Sequence, residues 1–200
     1  MNKGLYIYFT IALFLASSFI IKYTKNKNIE EGSNTILWSS NRKLTWNDFQ
    51  GIADSTSKYK AHTYSQITTT LIYYNNDSIV YDMPCHFIVN KSWATNIKTD
   101  ALLKHEQLHF DIAELCARKI RREYINHKMV DTKKTYKFIS DIFEKYGKKN
   151  QNSLNNFYDL ETKHGLIKDK QKEWEAKIAK ELKALEKYAN TRVVINRIKK

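Results

Sequence analysis

Cysteine occurs only twice, at Cys85 and Cys116, which excludes a disulfide-stapled scaffold and any multi-cysteine metal ribbon. The two thiols could form one bridge in an exported chain or remain free and buried. Proline occurs once, at Pro84. Acidic residues are also scarce, 21 against 34 Lys and Arg, for a net charge of +13. That balance raises nucleic acid as a partner. No nucleic-acid motif accompanies it, however, and lysines are scattered along helix-forming segments. We therefore expect no nucleic-acid partner and read the charge as solvated helix faces. A hydrophobic content of 42% excludes a disordered composition, and 200 residues suffice for one domain with a real core.

Charge is missing altogether from Leu5 to Ile21, 17 residues rich in Leu, Ile and Phe behind the single cation Lys3. Residues 1–24 are therefore expected to be a signal peptide or an N-terminal membrane anchor, with the body exported to the cell envelope, anchored, periplasmic or secreted. No cysteine is available there for lipid attachment. Residues 25–34 read as a polar linker, 35–190 as one folded domain, and 191–200 as a basic C-terminal tail that docks weakly or frays.

Within the body, Ile36 to Trp38 reads as a short strand, and Thr45 as the cap of a helical turn holding Asp48 and Phe49. His62 to Tyr74 is rich in Thr, Tyr and Ile, and Ser78 to Asn90 is a second β-branched run. Asn75-Asn76-Asp77 between them is a turn signal, so the pair predicts a β-hairpin. Pro84 places the second strand at an edge or a bulge, where its free backbone could align an extended substrate. His62 and His86 read as ordinary polar residues of these strands.

The stretch with chemistry in it is His105-Glu106-Gln107-Leu108-His109. It is an H-E-x-x-H motif in an apolar-periodic helix that starts at Thr99 or Asp100 and runs to about Asn126 or His127. Residues four apart share a helix face, so both imidazoles can reach one metal ion. Glu106, rotated by about 100°, stands where a general base for a metal-activated water belongs. Leu108, Ile112, Leu115, Cys116 and Ile120 fall on the histidine side. Asp111, Glu114, Arg118, Arg121 and Arg122 fall on the other, which predicts a solvent face laced by pairs such as Glu114 to Arg118. A second helix is expected from Tyr136, Ile139, Phe143 and Tyr146, ending near Gly147. An Asn-rich loop should follow over 148–156, then a long amphipathic helix marked by Trp174, Ile178, Leu182, Leu185 and Tyr188.

A catalytic zinc site needs three protein ligands, and no G-x-x-H extension follows His109. The third must come from downstream. His164 is the first choice, with Asp159 or Glu161 as alternatives. Asp159 could instead accept the second N–H of a ligand histidine, and Tyr158 could act catalytically by donating to an oxyanion.

These residues carry a resemblance. Leu44-Thr45-Trp46-Asn47-Asp48-Phe49-Gln50-Gly51, Leu103 to Glu114 with its H-E-x-x-H, and Tyr158-Asp159-x-Glu161-Thr162-x-His164-Gly165 with Gln171-x-x-Trp174 resemble an uncharacterised bacterial family of predicted secreted zinc-dependent proteases. The likeness spans roughly residues 36–188, and its middle block is the specific one. It implies an exported metallopeptidase-like domain with the His164 segment in its site. The expectation is an α+β fold, zincin-like, with a small antiparallel sheet ahead of the motif helix and further helices after it. Its function would be Zn²⁺-dependent hydrolysis of a peptide or protein, Glu106 moving the proton. A non-catalytic envelope module with a retained zinc site is the alternative.

Overall fold

The computed structural model describes residues 34–198. The expected export segment at 1–24 lies outside the described residues, as does nearly all of the linker at 25–34. In chain order the elements are β1 (Thr35–Leu37), a 3-10 turn (Trp46–Asp48), β2 (Ala61–His62), β3 (Ser65–Ile67), β4 (Thr70–Tyr74), β5 (Ser78–Asp82), β6 (Cys85–Ile88), β7 (Trp93–Ala94), α1 (Asp100–Asn126), β8 (Lys128–Met129), α2 (Thr132–Phe143), a π-helical segment (Glu144–Asn150), α3 (Gln151–Thr162), α4 (Lys168–Ala184) and β9 (Arg192–Arg197). The fold is α+β, with small, mainly antiparallel sheets; the one parallel pairing among the described residues is β8 with β9. No helix among the described residues is long and apolar enough to cross a membrane.

Helix α1 lies between two layers. Thr99 caps its start, the Oγ1 accepting from Leu102 N–H at 3.2 Å, and neither Gly nor Pro interrupts its 27 residues. Phe110, Ala113, Ala117, Ile120 and Tyr124 pack on strand residues Ile79, Tyr81, Phe87, Val193 and Ile195. Leu108, Ile112 and Leu115 pack on Tyr158, Trp174, Ile178 and Leu182 of α3 and α4.

Because both sides are covered, the expected solvent face does not exist. Glu114, Arg118 and Arg121 are buried. Glu114 accepts from Arg118 Nε and Arg121 Nη1 at 2.9 Å each, and from Arg121 Nη2 at 3.1 Å. Arg121 also donates to the Met83 carbonyl and Arg118 to the Leu182 carbonyl. A charge cluster is tolerated inside when its hydrogen bonds are met this fully. The 36–51 segment is lashed to the same helix: Leu44 N–H donates to Gln107 Oε1, while Gln107 and Trp38 Nε1 both donate to Asp111 Oδ1. Both cysteines are free and buried, and burial pushes the Cys116 thiol up to about 12.

The hairpin forms as β4–β5, with Asn75 Oδ1 accepting from Asp77 N–H and Ser78 N–H at the turn. Each long run is interrupted, however, the first into the end of β2, β3 and β4 and the second into β5 and β6. Pro84, which has no N–H to donate, separates β5 from β6, and its carbonyl accepts from Thr68 N–H. β6 is then the middle of β1-β6-β3, and β5 sits between β4 and β9 in β4-β5-β9-β8. Neither is an edge, so the expected substrate-aligning strand is not there. The expected basic tail at 191–200 is likewise mostly strand: Val193 and Ile195 of β9 are fully buried against α1.

The expected loop at 148–156 is helical. Gly147 does not end α2, which runs on through the π-helical segment into α3. Gly147 sits against α1, where a Cβ would be in van der Waals contact with Ile120 Cδ1 at 3.4 Å.

Replacing Glu114 with Ala leaves Arg118 and Arg121 buried beside no carboxylate. The expected loss is about 3–5 kcal/mol, read from urea unfolding monitored by circular dichroism. Deleting residues 191–200 should abolish the cooperative transition, whereas a frayed tail would leave it unchanged.

Candidate metal centre

His105 and His109 stand one helical turn apart on α1 and face α3. Their Nε2 atoms are 3.2 Å from each other, and each lies 3.1 Å from Asp159 Oδ1. Asp159 arrives from α3 together with Asn155, four residues earlier on the same face. His164 Nδ1 is 3.4 Å from the same carboxylate oxygen. His105, Asp159 and His164 present ligand atoms all within 4.8 Å of one another.

The outer ring nitrogens define the tautomers. Gln171 Nε2 donates to Glu175 Oε1, which turns its amide oxygen toward His105, and His105 Nδ1 donates to it at 3.3 Å. His109 Nδ1 donates to Asn155 Oδ1 at 3.0 Å. With both Nδ1 atoms protonated, both Nε2 atoms turn lone pairs toward each other and toward a carboxylate. Such a set repels itself unless a cation sits among it. The cation is either an added proton or a metal ion. A tetrahedral ion with bonds of about 2.0–2.1 Å needs ligand atoms about 3.3 Å apart, close to the spacings seen here. Nitrogen and carboxylate donors held by outer hydrogen bonds also suit zinc chemistry.

In the metal-free protein a proton is favoured at that place. Burial alone would push Asp159 up, but the hydrogen bonds from His105 and His109, with their charge, hold it well below the usual carboxylate range. Burial alone would push His109 down. The hydrogen bond to Asp159, the nearby Glu106 and the charge of Asp159 outweigh it and raise His109 above the ordinary imidazole value.

The α3–α4 turn places the remaining donors. Lys163, His164 and Gly165 all have positive φ, at 47°, 55° and 81°. His164 N–H still donates to the Asp159 carbonyl, so the left-handed turn folds His164 back toward Asp159. A Cβ on Gly165 would lie 3.1 Å from His105 Cβ, so glycine is required for the close approach as well as for φ.

Two expected site residues fall elsewhere. Glu161 accepts from Trp174 Nε1 at 2.7 Å and takes no part in the donor cluster. Tyr158 is fully buried, its hydroxyl donating to Gln171 Oε1 at 2.7 Å and its ring stacked on His105 at 4.5 Å. It is a wall that orients His105, not a donor to an oxyanion.

Glu106, buried on the neighbouring face of α1, accepts from Thr63 Oγ1 at 2.7 Å. Its other carboxylate oxygen has no hydrogen-bond partner among the described residues. His105, Glu106, His109, Asp159 and His164 all line one cleft of about 850 Å³, roofed by the 58–63 segment. His62 of β2 lines it too, and burial lowers its pKa against the opposing pull of Glu106. Asn155, Gln171, Thr63 and His62 are the contributors that sequence reasoning did not single out for the site. Only the Gln171-x-x-Trp174 spacing carried a trace of them.

Comparison with known protein families, curated proteins and solved structures returned no match.

A metal ion at this site would compete with the proton for one place, which sets the expected pH behaviour. The depressed Asp159 contributes stability above the ordinary carboxylate range near ~4, and the raised His109 contributes below the ordinary imidazole range near ~6.5 and loses it as pH rises past its own raised value. Metal-free protein should therefore gain most from this pair between about pH 4 and 6.5. Added zinc should raise the unfolding midpoint more at about pH 7.5 than at about pH 5, because the proton must leave first. An equal zinc shift at the two pH values would count against the site.

Proposed function

We propose that this chain is a zinc-dependent peptidase of the zincin type, exported by its N-terminal segment. One observation carries the reading: two imidazole nitrogens and a carboxylate oxygen converge at 3.1–3.2 Å, with the outer ring nitrogens already engaged. His105, His109 and Asp159 would hold the ion. When bound, a zinc ion acidifies water and polarises a carbonyl. The rest is done by the chain. Glu106 offers a carboxylate to take a proton and return it to a leaving amine, and the Thr63 hydroxyl fixes one of its oxygens so that the other is free to act. His62 lines the cleft, where its ring can hydrogen-bond a carbonyl undergoing attack. β2 pairs only with β7 among the described residues, so the aligning edge for an extended peptide is β2, not the strand anticipated from Pro84.

His164 motivates a second reading. As a fourth donor it would close the coordination, and a closed zinc site is structural. That is the non-catalytic envelope module.

Glu106→Gln should retain stoichiometric zinc by elemental analysis while cleavage of a broad peptide library falls by about 10²–10⁴-fold. Asp159→Ala should lose the metal, and His164→Ala should keep it. Undiminished cleavage by Glu106→Gln excludes this mechanism. A zinc-loaded wild-type protein that cleaves nothing, with zinc lost on His164→Ala, selects the structural module.

A further inference from the structure

The four-stranded sheet ends on β4, and β4 is unlike an ordinary edge. Every residue of Thr70–Tyr74 is exposed. Leu71, Ile72 and Tyr73 are each 50% accessible and Tyr74 is 44%. Antiparallel geometry turns every second N–H and C=O of such a strand away from β5, its one neighbour among the described residues. Solvent-facing edges are usually blunted with lysine, proline or inward-pointing charge. This edge has none, although the chain carries 34 Lys and Arg. From Ala61 to Asn76 there is no Lys, Arg, Asp or Glu at all. Its one irregularity is the register shift between Leu71 and Tyr73, which leaves Ile72 as an extra residue.

We propose that β4 is the pairing edge between two copies of this chain, joined antiparallel about a two-fold axis near Ile72 into one continuous sheet. The occupant follows from complementarity. A partner for this edge must be extended, uncharged, apolar and cheap to desolvate. β4 meets each requirement for its own two-fold mate, with Thr70 opposite Tyr74 and Leu71 opposite Tyr73. An acidic partner, which the net charge of +13 would otherwise attract, finds nothing cationic to pair with here. Half of the roughly 150–250 Å² that each tyrosine can bury, with similar fractions of Leu71 and Ile72, gives at most about 300–400 Å² per copy. That total is below a standard stable interface, so the dimer forms and dissociates with concentration. The edge belongs to the sheet on the far side of α1 from α3 and α4, so pairing leaves the metal-centre residues out of the contact.

The test is a site-directed cross-link in the full chain. Cys85 and Cys116 are buried, so a cysteine introduced at position 72 is the reactive one. Full-length Ile72→Cys treated with a short bis-maleimide should give a covalent dimer whose yield rises with protein concentration. Ile52→Cys, exposed outside the strand at 94%, should give none. Adding Tyr73→Lys, or Leu71→Lys as a second variant, should remove most of the dimer while circular dichroism shows the fold retained. The absence of a cross-link in Ile72→Cys, or a cross-link indifferent to both lysines, overturns the proposal. So does a result in which the lysines leave the cross-link intact but weaken binding to phosphatidylcholine–phosphatidylglycerol vesicles, which would make the strand a lipid contact. None of these outcomes depends on peptidase activity.

Discussion

Asp159 Oδ1 rests 3.1 Å from the Nε2 atoms of both motif histidines, and much of the surrounding structure serves to hold that contact. Two unprotonated imidazoles and a carboxylate repel one another at such range, so packing has to supply what electrostatics opposes until a cation arrives. Tyr158 backs the His105 ring, Gln171 and Asn155 hold the outer nitrogens, and Gly165 lets the α3–α4 turn close over His105. These contacts come from α1, α3, α4 and one turn, so the cluster exists only when those elements are packed.

That packing explains why α1 is buried on both sides. One side must meet α3 and α4 to bring Asp159 to the histidines. The other must meet the sheets, because small sheets with one apolar face cannot stand alone. A helix covered twice has no solvent face for its charges, and Glu114, Arg118 and Arg121 satisfy one another and the Met83, Leu182 and Tyr188 carbonyls inside. The π-helical segment serves the same end. It carries the chain past Ile120 at Gly147 and delivers Asn155 and Asp159 on one face of α3. A π segment near a site fits the pattern that helix irregularities gather where geometry must be re-aimed.

The donor cluster and Glu106 both line the cleft. The side that carries the donor cluster is built largely from helices, which fix side chains rigidly, while the facing side is built from the 58–63 segment with β2. Glu106 joins the two: it rides on α1 beside His105 but takes its hydrogen bond from Thr63. Its carboxylate is thereby oriented from the 58–63 side of the cleft.

Local signals in the sequence determined α1 and most of α4, but not the helical run over 148–156. Thr99 caps α1, and the apolar period holds through Tyr124 because a helix read from its own i,i+4 pattern needs no knowledge of its neighbours. The H-E-x-x-H pair faces one point for the same reason. What the sequence could not determine was whatever depends on a second element. It could not separate a solvated charge face from a buried ion cluster, since both read as Glu114 four residues before Arg118. Nor could it show that Val193 and Ile195 dock beside β5, more than a hundred residues upstream in the chain. The choice among His164, Asp159 and Glu161 lay in the same class. Those residues sit within six positions of one another, and only the packing of α3 on α1, with its left-handed turn, decides that Asp159 meets both histidines, His164 stands beside it and Glu161 turns to Trp174.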